Sequence, residues 1–138
     1  MTTDDCIFCK IVKGELPATK IYENEASLAF LDINPVNIGH VLVIPKEHHA
    51  NIFEITEKNL LEVVKTVKKV SHAVKKGLKA DGINITMNNE AAAGQVVFHL
   101  HIHIIPRTIN DGFEHWSGRR NYQQGEKEVV TEKITKAL

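Results

Sequence analysis

The chain has 138 residues, and its 17 Lys and Arg balance 17 Asp and Glu, so its net charge is zero with histidine neutral. A hydrophobic share of 43% excludes a disordered chain, and this length can bury a core without disulfide staples. Zero net charge excludes a general nucleic-acid coat, which needs a basic excess, but leaves room for a small anion held at a local site. No apolar run has the length of a membrane span, and the first ten residues lack the features of a signal peptide. A cytoplasmic protein without membrane or nucleic-acid partners is expected, as one domain over residues 1–138 with a C-terminal extension from about 108.

In chain order, residues 4–12 read as a short helix capped by Asp4 or Asp5 and broken by Gly14 to Pro17. Residues 20–22 and 26–32 read as strands joined by a turn at 23–25. A loop from Asn34 to Gly39 leads into a buried strand over 40–44, ended by Pro45. Residues 56–79 form the one long helix, capped by Thr56, with Gly77 and Gly82 bracketing its end. Its apolar positions, from Leu60 and Val63 through Val67, Val70 and Val74 to Leu78, fit the 3.6-residue period. A strand over 83–88, a small-residue loop over 91–94 and a last strong strand from Val96 or Phe98 to Pro106 follow. The tail from Thr108 reads as polar and irregular. This order predicts an α+β fold: a five-stranded antiparallel sheet with one long and one short N-terminal helix.

Eight histidines are the unusual feature of the composition, and three of them alternate in Phe98-His99-Leu100-His101-Ile102-His103-Ile104. A strand alternates faces, so His99, His101 and His103 share one face while Leu100, Ile102 and Ile104 meet the core. A merely solvated face would carry Thr, Lys or Glu instead. Two chemical readings compete. The row binds a metal, or one imidazole is a nucleophile toward phosphorus while its neighbours hold the anion. The preceding Ala91-Ala92-Ala93-Gly94-Gln95 favours the second, because small residues let backbone N–H groups approach a phosphate and Gln95 adds an amide donor. His40, which opens the strand after Gly39, suits a group that orients the nucleophilic ring. Cys6 and Cys9 form a C-x-x-C pair, which in a reducing compartment reads as metal-binding or redox-active; no thioredoxin-like βαβ pattern follows it.

On these residues the chain resembles the histidine-triad nucleotide-binding proteins. His99-Leu-His101-Ile-His103-Ile-Ile105 matches their signature, and Cys6-Ile-Phe-Cys9-Lys-Ile-Val12, Phe30-Leu-Asp32-Ile-Asn-Pro35, Gly39-His40-Val-Leu-Val-Ile-Pro45 and Gly94-Gln95 follow the family's order up to about Arg107. The C-x-x-C places it near the bacterial-type branch. The resemblance implies a nucleotide hydrolase or nucleotidyl transferase acting at the α-phosphate of nucleoside phosphoramidates or dinucleoside polyphosphates. It implies His101 as nucleophile, His103 on the phosphoryl oxygens and His40 supporting the His101 ring. Gln95 and Asn88 would contact phosphate or the bridging atom, Asp32 the ribose hydroxyls, and Phe30 and Ile33 the base. No metal would be needed for the chemistry. One departure stands out: many members carry Ser or Thr after the Gly-Gln pair, and here that residue is Val96.

The same resemblance implies a structural zinc on Cys6, Cys9, His48 and His99, with His49 ranked below His48, because four protein ligands leave no open position. It also implies a homodimer in which two sheets join and the long helices lie at the interface. Trp116 or Arg107 is a candidate for shaping the partner's pocket, while His72 and His115 have no assigned role and the Lys-rich helix face reads as solvated. Two other functions remain open: a nucleotide-binding interaction protein with vestigial activity, for which Val96 leaves room, and a metal-dependent hydrolase using the histidine row as ligands.

Overall fold

In the computed structural model, which describes residues 3–116 and 118–138, the first regular element is α1 (Ile7–Val12). It starts later than the sequence suggests. Buried Cys6, not Asp4 or Asp5, is its N-cap, with Sγ accepting the Cys9 N–H at 3.4 Å. Strands β1 (Lys20–Glu23) and β2 (Ser27–Leu31) form a hairpin. Asn24 closes it by accepting the Ala26 and Ser27 N–H groups on its side-chain oxygen at 2.9 and 2.8 Å. After β3 (Val41–Pro45), Thr56 caps α2 (Glu57–Leu78) through the Asn59 N–H. Gly77 lies inside that helix, and the left-handed residue that ends it is Lys79, with φ 53°. Strand β4 (Gly82–Thr86), a 3₁₀ turn over Ala91–Ala93 and β5 (Ile102–Arg107) follow.

The five strands form one sheet in the order β1-β2-β3-β5-β4, with every neighbouring pair antiparallel. Period-two alternation sorts its two faces. Ala29, Val41, Val43, Ile102 and Ile104 pack against Val63, Val67, Val70 and Val74, the buried stripe of α2. The opposite residues Leu28, Phe30, Leu42 and Ile44 pack against Cys6, Phe8 and Cys9 around α1. Leu100, Ile102 and Ile104 meet the α2 core as their alternation requires, so the histidines between them belong to the α1 face.

Strand β5 is shorter than expected: regular pairing starts at Ile102, and residues 96–101 are irregular. The reason lies in the backbone partners. The Leu100 N–H donates to the His49 carbonyl at 2.7 Å, and the His99 carbonyl accepts from an imidazole, so neither group joins the ladder. The tail also differs from expectation, since residues Glu126–Thr135 form a third helix, α3. None of its residues is buried, so it has no apolar stripe to announce it.

Candidate active site and metal centre

The alternation of β5, continued irregularly back through residue 99, lines up imidazoles on the α1 face of the sheet. The rings of His101 and His103 meet at 5.0 Å between centroids, and Phe8, between the two cysteines, stands edge-on to His101 at 5.3 Å and to His99 at 5.9 Å. Phe8 therefore belongs to the site. A cleft of about 430 Å³ opens in front of His101 and His103, with Ile7, Phe8, Phe30 and Ile33 on its apolar side and Asp32 and Val96 at its edges.

Hydrogen bonds fix the tautomers of these rings. The Nδ1 of His101 lies 2.7 Å from the His99 carbonyl, which can only accept, so Nδ1 carries the proton and Nε2 holds a lone pair. The Val36 N–H donates to His40 Nδ1 at 3.1 Å. His40 must then carry its proton on Nε2, which lies 2.9 Å from His103 Nδ1 and donates to it. His103 consequently has its own proton on Nε2. Burial pushes all three imidazoles toward the neutral form; for His103, burial and then the neighbouring His101 and His40 lower the pKa to about 4. The site is thus built from neutral rings, one with a lone pair and one with an N–H.

The expected partner of His40 is His101, and the structure places it on His103 instead. Register explains this: Leu42 pairs with His103 and Val41 with Ile104, so His40 lies diagonal to His103 and too far along for His101. The His99 carbonyl and the Phe8 ring hold His101 in its place. Asp32 completes the group, with one carboxylate oxygen 3.7 Å from His40 Nε2 and the other accepting the Asn34 N–H at 2.8 Å. Asp32, His40 and His103 are close enough to suggest a cation site, but the Val36 bond keeps a proton on the His40 nitrogen that would have to ligate.

Phe30 is buried at the base of the cleft and Ile33 is exposed on its rim. Gln95 and Asn88 both spend side-chain hydrogen bonds on the loop before the histidine row. Gln95 is buried, its amide hydrogens donating to the Ala50 and Val97 carbonyls at 2.6 and 3.1 Å and its oxygen accepting the Glu90 N–H at 2.7 Å. A buried amide has to satisfy its own groups first, so Gln95 fastens the 90–97 loop and has no donor left for a phosphate. Asn88 donates to the Gly94 carbonyl of the same loop at 3.4 Å. Arg107 is likewise spent inside its own chain, on Asp111, Asn84 and the Phe113 carbonyl.

Behind the histidine row, Cys6, Cys9, His48 and His99 converge with ligand atoms within 4.8 Å of one another. The His99 Nε2 proton goes to the Pro45 carbonyl at 2.8 Å, which leaves Nδ1 as a lone pair facing the sulfurs at 3.4 and 3.5 Å. The Nδ1 of His48 is 3.3 Å from the Cys9 sulfur and 3.3 Å from His99 Nδ1. A tetrahedral ion with ~2.05 Å bonds to nitrogen and ~2.3 Å bonds to sulfur separates its ligands by about 3.3–3.8 Å, and the spacing here fits. Burial, then the adjacent Cys6 sulfur, push the Cys9 thiol up to about 11, and burial lowers His99 to about 4. A bound cation would offset the first of these costs by stabilising thiolate. His49 is engaged elsewhere, its Nε2 on the Asn59 amide at 2.9 Å.

A family described as the HIT domain matches residues 13–110, and the chain belongs to it. An uncharacterized HIT-like protein of Borreliella burgdorferi is 49% identical over 125 residues, covering 89% of this chain and 90% of that one. The adenosine 5′-monophosphoramidase of Schizosaccharomyces pombe is 47% identical over 102 residues, 74% of each chain. Among solved structures, a Streptococcus mutans protein superposes with a TM-score of 0.93 at 43% identity, covering 99% of this chain and 87% of that one. A zinc-bound histidine triad family protein of Mycobacterium smegmatis superposes at 0.77 with 34% identity, over 99% and 100% of the two chains.

Proposed function

Because the chain belongs to the HIT domain family, we propose that it is a nucleotide hydrolase cleaving at the α-phosphate of nucleoside phosphoramidates or dinucleoside polyphosphates, with His101 as nucleophile. The observation that carries this reading is the His101 tautomer: its proton is committed to the His99 carbonyl, so a neutral Nε2 lone pair is available at the cleft. A bond forms between Nε2 and phosphorus as the bond from phosphorus to the leaving group breaks, the leaving group taking the electron pair and, where it is an amine, a proton from solvent. Water then attacks the nucleotidyl-histidine, the P–N bond breaks, the electron pair returns to Nε2, and the proton lost by the water passes to solvent. The His103 Nε2–H donates to a phosphoryl oxygen and stabilises the charge that grows there. Phe30 and Ile33, with Ile7 and Phe8, take the base, and Asp32 accepts from the ribose hydroxyls.

Zinc is the proposed occupant of Cys6, Cys9, His48 and His99. It supplies no step of the reaction. With four protein ligands it ties α1 to His99, whose carbonyl holds His101 in its tautomer. We also infer a homodimer in the cytoplasm. Strand β4 is a free sheet edge, and it borders an apolar groove where Val64 of α2 and Ile85 are half exposed. No helix among the described residues is long and apolar enough to cross a membrane.

The test is mass spectrometry of the protein mixed with adenosine 5′-phosphoramidate and, separately, diadenosine tetraphosphate. A nucleotidyl adduct that disappears in His101→Ala, together with turnover, is expected. Full turnover in His101→Ala without an adduct would overturn the mechanism. Nucleotide binding with negligible hydrolysis of every leaving group would identify a binding protein instead.

A further inference from the structure

The half-buried ion pair of Arg107 and Asp111 has no part in the chemistry above, yet it stands directly behind the loop that carries His40. The Asp111 carboxylate accepts two bonds from the Arg107 guanidinium, at 2.7 and 2.8 Å, and the Thr108 and Phe113 N–H groups at 3.3 and 3.1 Å. The Arg107 and Asp111 side chains are 15% and 8% exposed, and the two parallel bonds fix their mutual geometry. The Asp111 carboxylate also accepts from Asn37, whose side-chain amide donates to it at 2.9 Å and to the Pro106 carbonyl at the end of β5, also at 2.9 Å.

Asn37 belongs to the turn that sets the His40 ring. Its own carbonyl accepts the His40 N–H at 3.0 Å, and the residue before it, Val36, donates the N–H that occupies His40 Nδ1. From there a single chain of donors runs to the cleft: Val36 N–H to His40 Nδ1, His40 Nε2–H to His103 Nδ1, and the His103 Nε2–H beyond. The direction of every bond in that chain depends on where the Val36 N–H points. If the turn relaxes, His40 can place its proton on Nδ1, and the His103 proton can move to Nδ1 and away from the cleft.

We propose that Asn37 is a positioning residue: braced by Asp111 and Pro106, it holds the 36–40 turn in the geometry that fixes the His40 tautomer and thereby keeps the His103 proton on Nε2. Arg107 and Asp111 serve as the anchor of that brace. The consequence for turnover rests on the function proposed above, whereas the tautomer claim stands without any substrate.

Long-range ¹H–¹⁵N correlation NMR of the zinc-loaded, ¹⁵N-labelled protein at neutral pH reads the tautomers directly. Wild type is expected to show His40 and His103 each as a single Nε2–H form. In Asn37→Ala both rings become mixtures, and kcat on adenosine 5′-phosphoramidate falls about tenfold with KM changed less than about twofold, as a small misplacement of a reacting group requires. Asp111→Asn shifts the tautomers in the same direction; should it fail to fold, the half-exposed Asn37 still carries the test. Pure Nε2–H tautomers in folded Asn37→Ala, even with a lowered melting temperature, would overturn the proposal, because that is what a purely structural contact produces. Mixed tautomers with unchanged kcat would uphold the positioning and overturn the part assigned to the His103 proton.

Discussion

The imidazole of His101 donates its Nδ1 proton to the carbonyl of His99, two residues earlier, at 2.7 Å. One residue thus contributes a ring nitrogen to the cysteine cluster and a backbone oxygen to the His101 ring. That coupling makes the candidate metal site and the cleft parts of one arrangement.

Removing the metal is therefore expected to act in two places. In Cys9→Ser or His48→Ala, bound zinc measured by elemental analysis should fall from about one per chain to near zero, because three ligands hold zinc far more weakly than four. The melting temperature should fall as well, since α1 loses its tie to residue 99. Unchanged zinc content in Cys9→Ser would sink the assignment.

His40 supports His103, not His101, and mutation should separate the two. His40→Phe leaves His103 Nδ1 without its donor at a half-buried position, which costs about 1 kcal/mol of stability. Turnover should drop by about one to two orders of magnitude, while the His101 adduct still forms because the His101–His99 bond is untouched. Intact-protein mass spectrometry checks this: absence of any adduct would place His40 on His101 after all.

Acid should destabilise the fold through the buried neutral rings. The His103 pKa is about 4 in the folded chain against about 6.5 unfolded, so the unfolded state binds more protons between these values. Stability is full above the unfolded value and is lost as pH falls from about 6.5 toward 4, with a slope of at most ~1.4 kcal/mol per pH unit from this ring. Urea melts of the zinc-loaded protein across that window should show the slope, and it should lessen in His103→Asn. Equal slopes in the two proteins would remove His103 as the cause.

Val96 lines the cleft with an exposed apolar side chain, at the position where the resemblance to the family implies Ser or Thr. In Val96→Ser a donor returns beside the leaving group. Phosphoramidate turnover should rise several-fold, about the worth of one hydrogen bond, while polyphosphate turnover, whose leaving group departs as a stable anion, changes little. Equal effects on both substrates in steady-state assays would count against a leaving-group role for this position.

Gly39 precedes His40 with φ 95°, and a Cβ there would run into the Leu78 side chain. Gly39→Ala should cost about 1–3 kcal/mol from backbone strain and crowding. Gly14→Ala, at φ 77° with open space around it, should cost only the backbone share. Chemical denaturation of the two variants distinguishes them; equal losses would show that Leu78 gives way freely.

Much of this was legible in the chain itself, for local reasons. The 3.6-residue period marks Val63, Val67, Val70 and Val74 as the buried stripe of α2, and alternation puts Leu100, Ile102 and Ile104 on the α2 core. The family resemblance implies Cys6, Cys9, His48 and His99 as one ligand group, and the fold brings these four together while His49 bonds Asn59. By contrast, α3 carries no buried residue, so no apolar pattern existed to reveal it.

Partners distant in sequence lay beyond any local pattern. That His40 bonds to His103 follows from the register of β3 on β5, between residues 63 positions apart in sequence. That Gln95 spends its amide on Ala50 and Val97, and that Asn37 leans on Asp111, depends on which carbonyls and carboxylates the packed chain brings within reach. Residue types and their periods decide which side chains are buried and which chemistry is present. Only the tertiary structure decides which nitrogen holds each proton, because a tautomer is set by the partner that faces it.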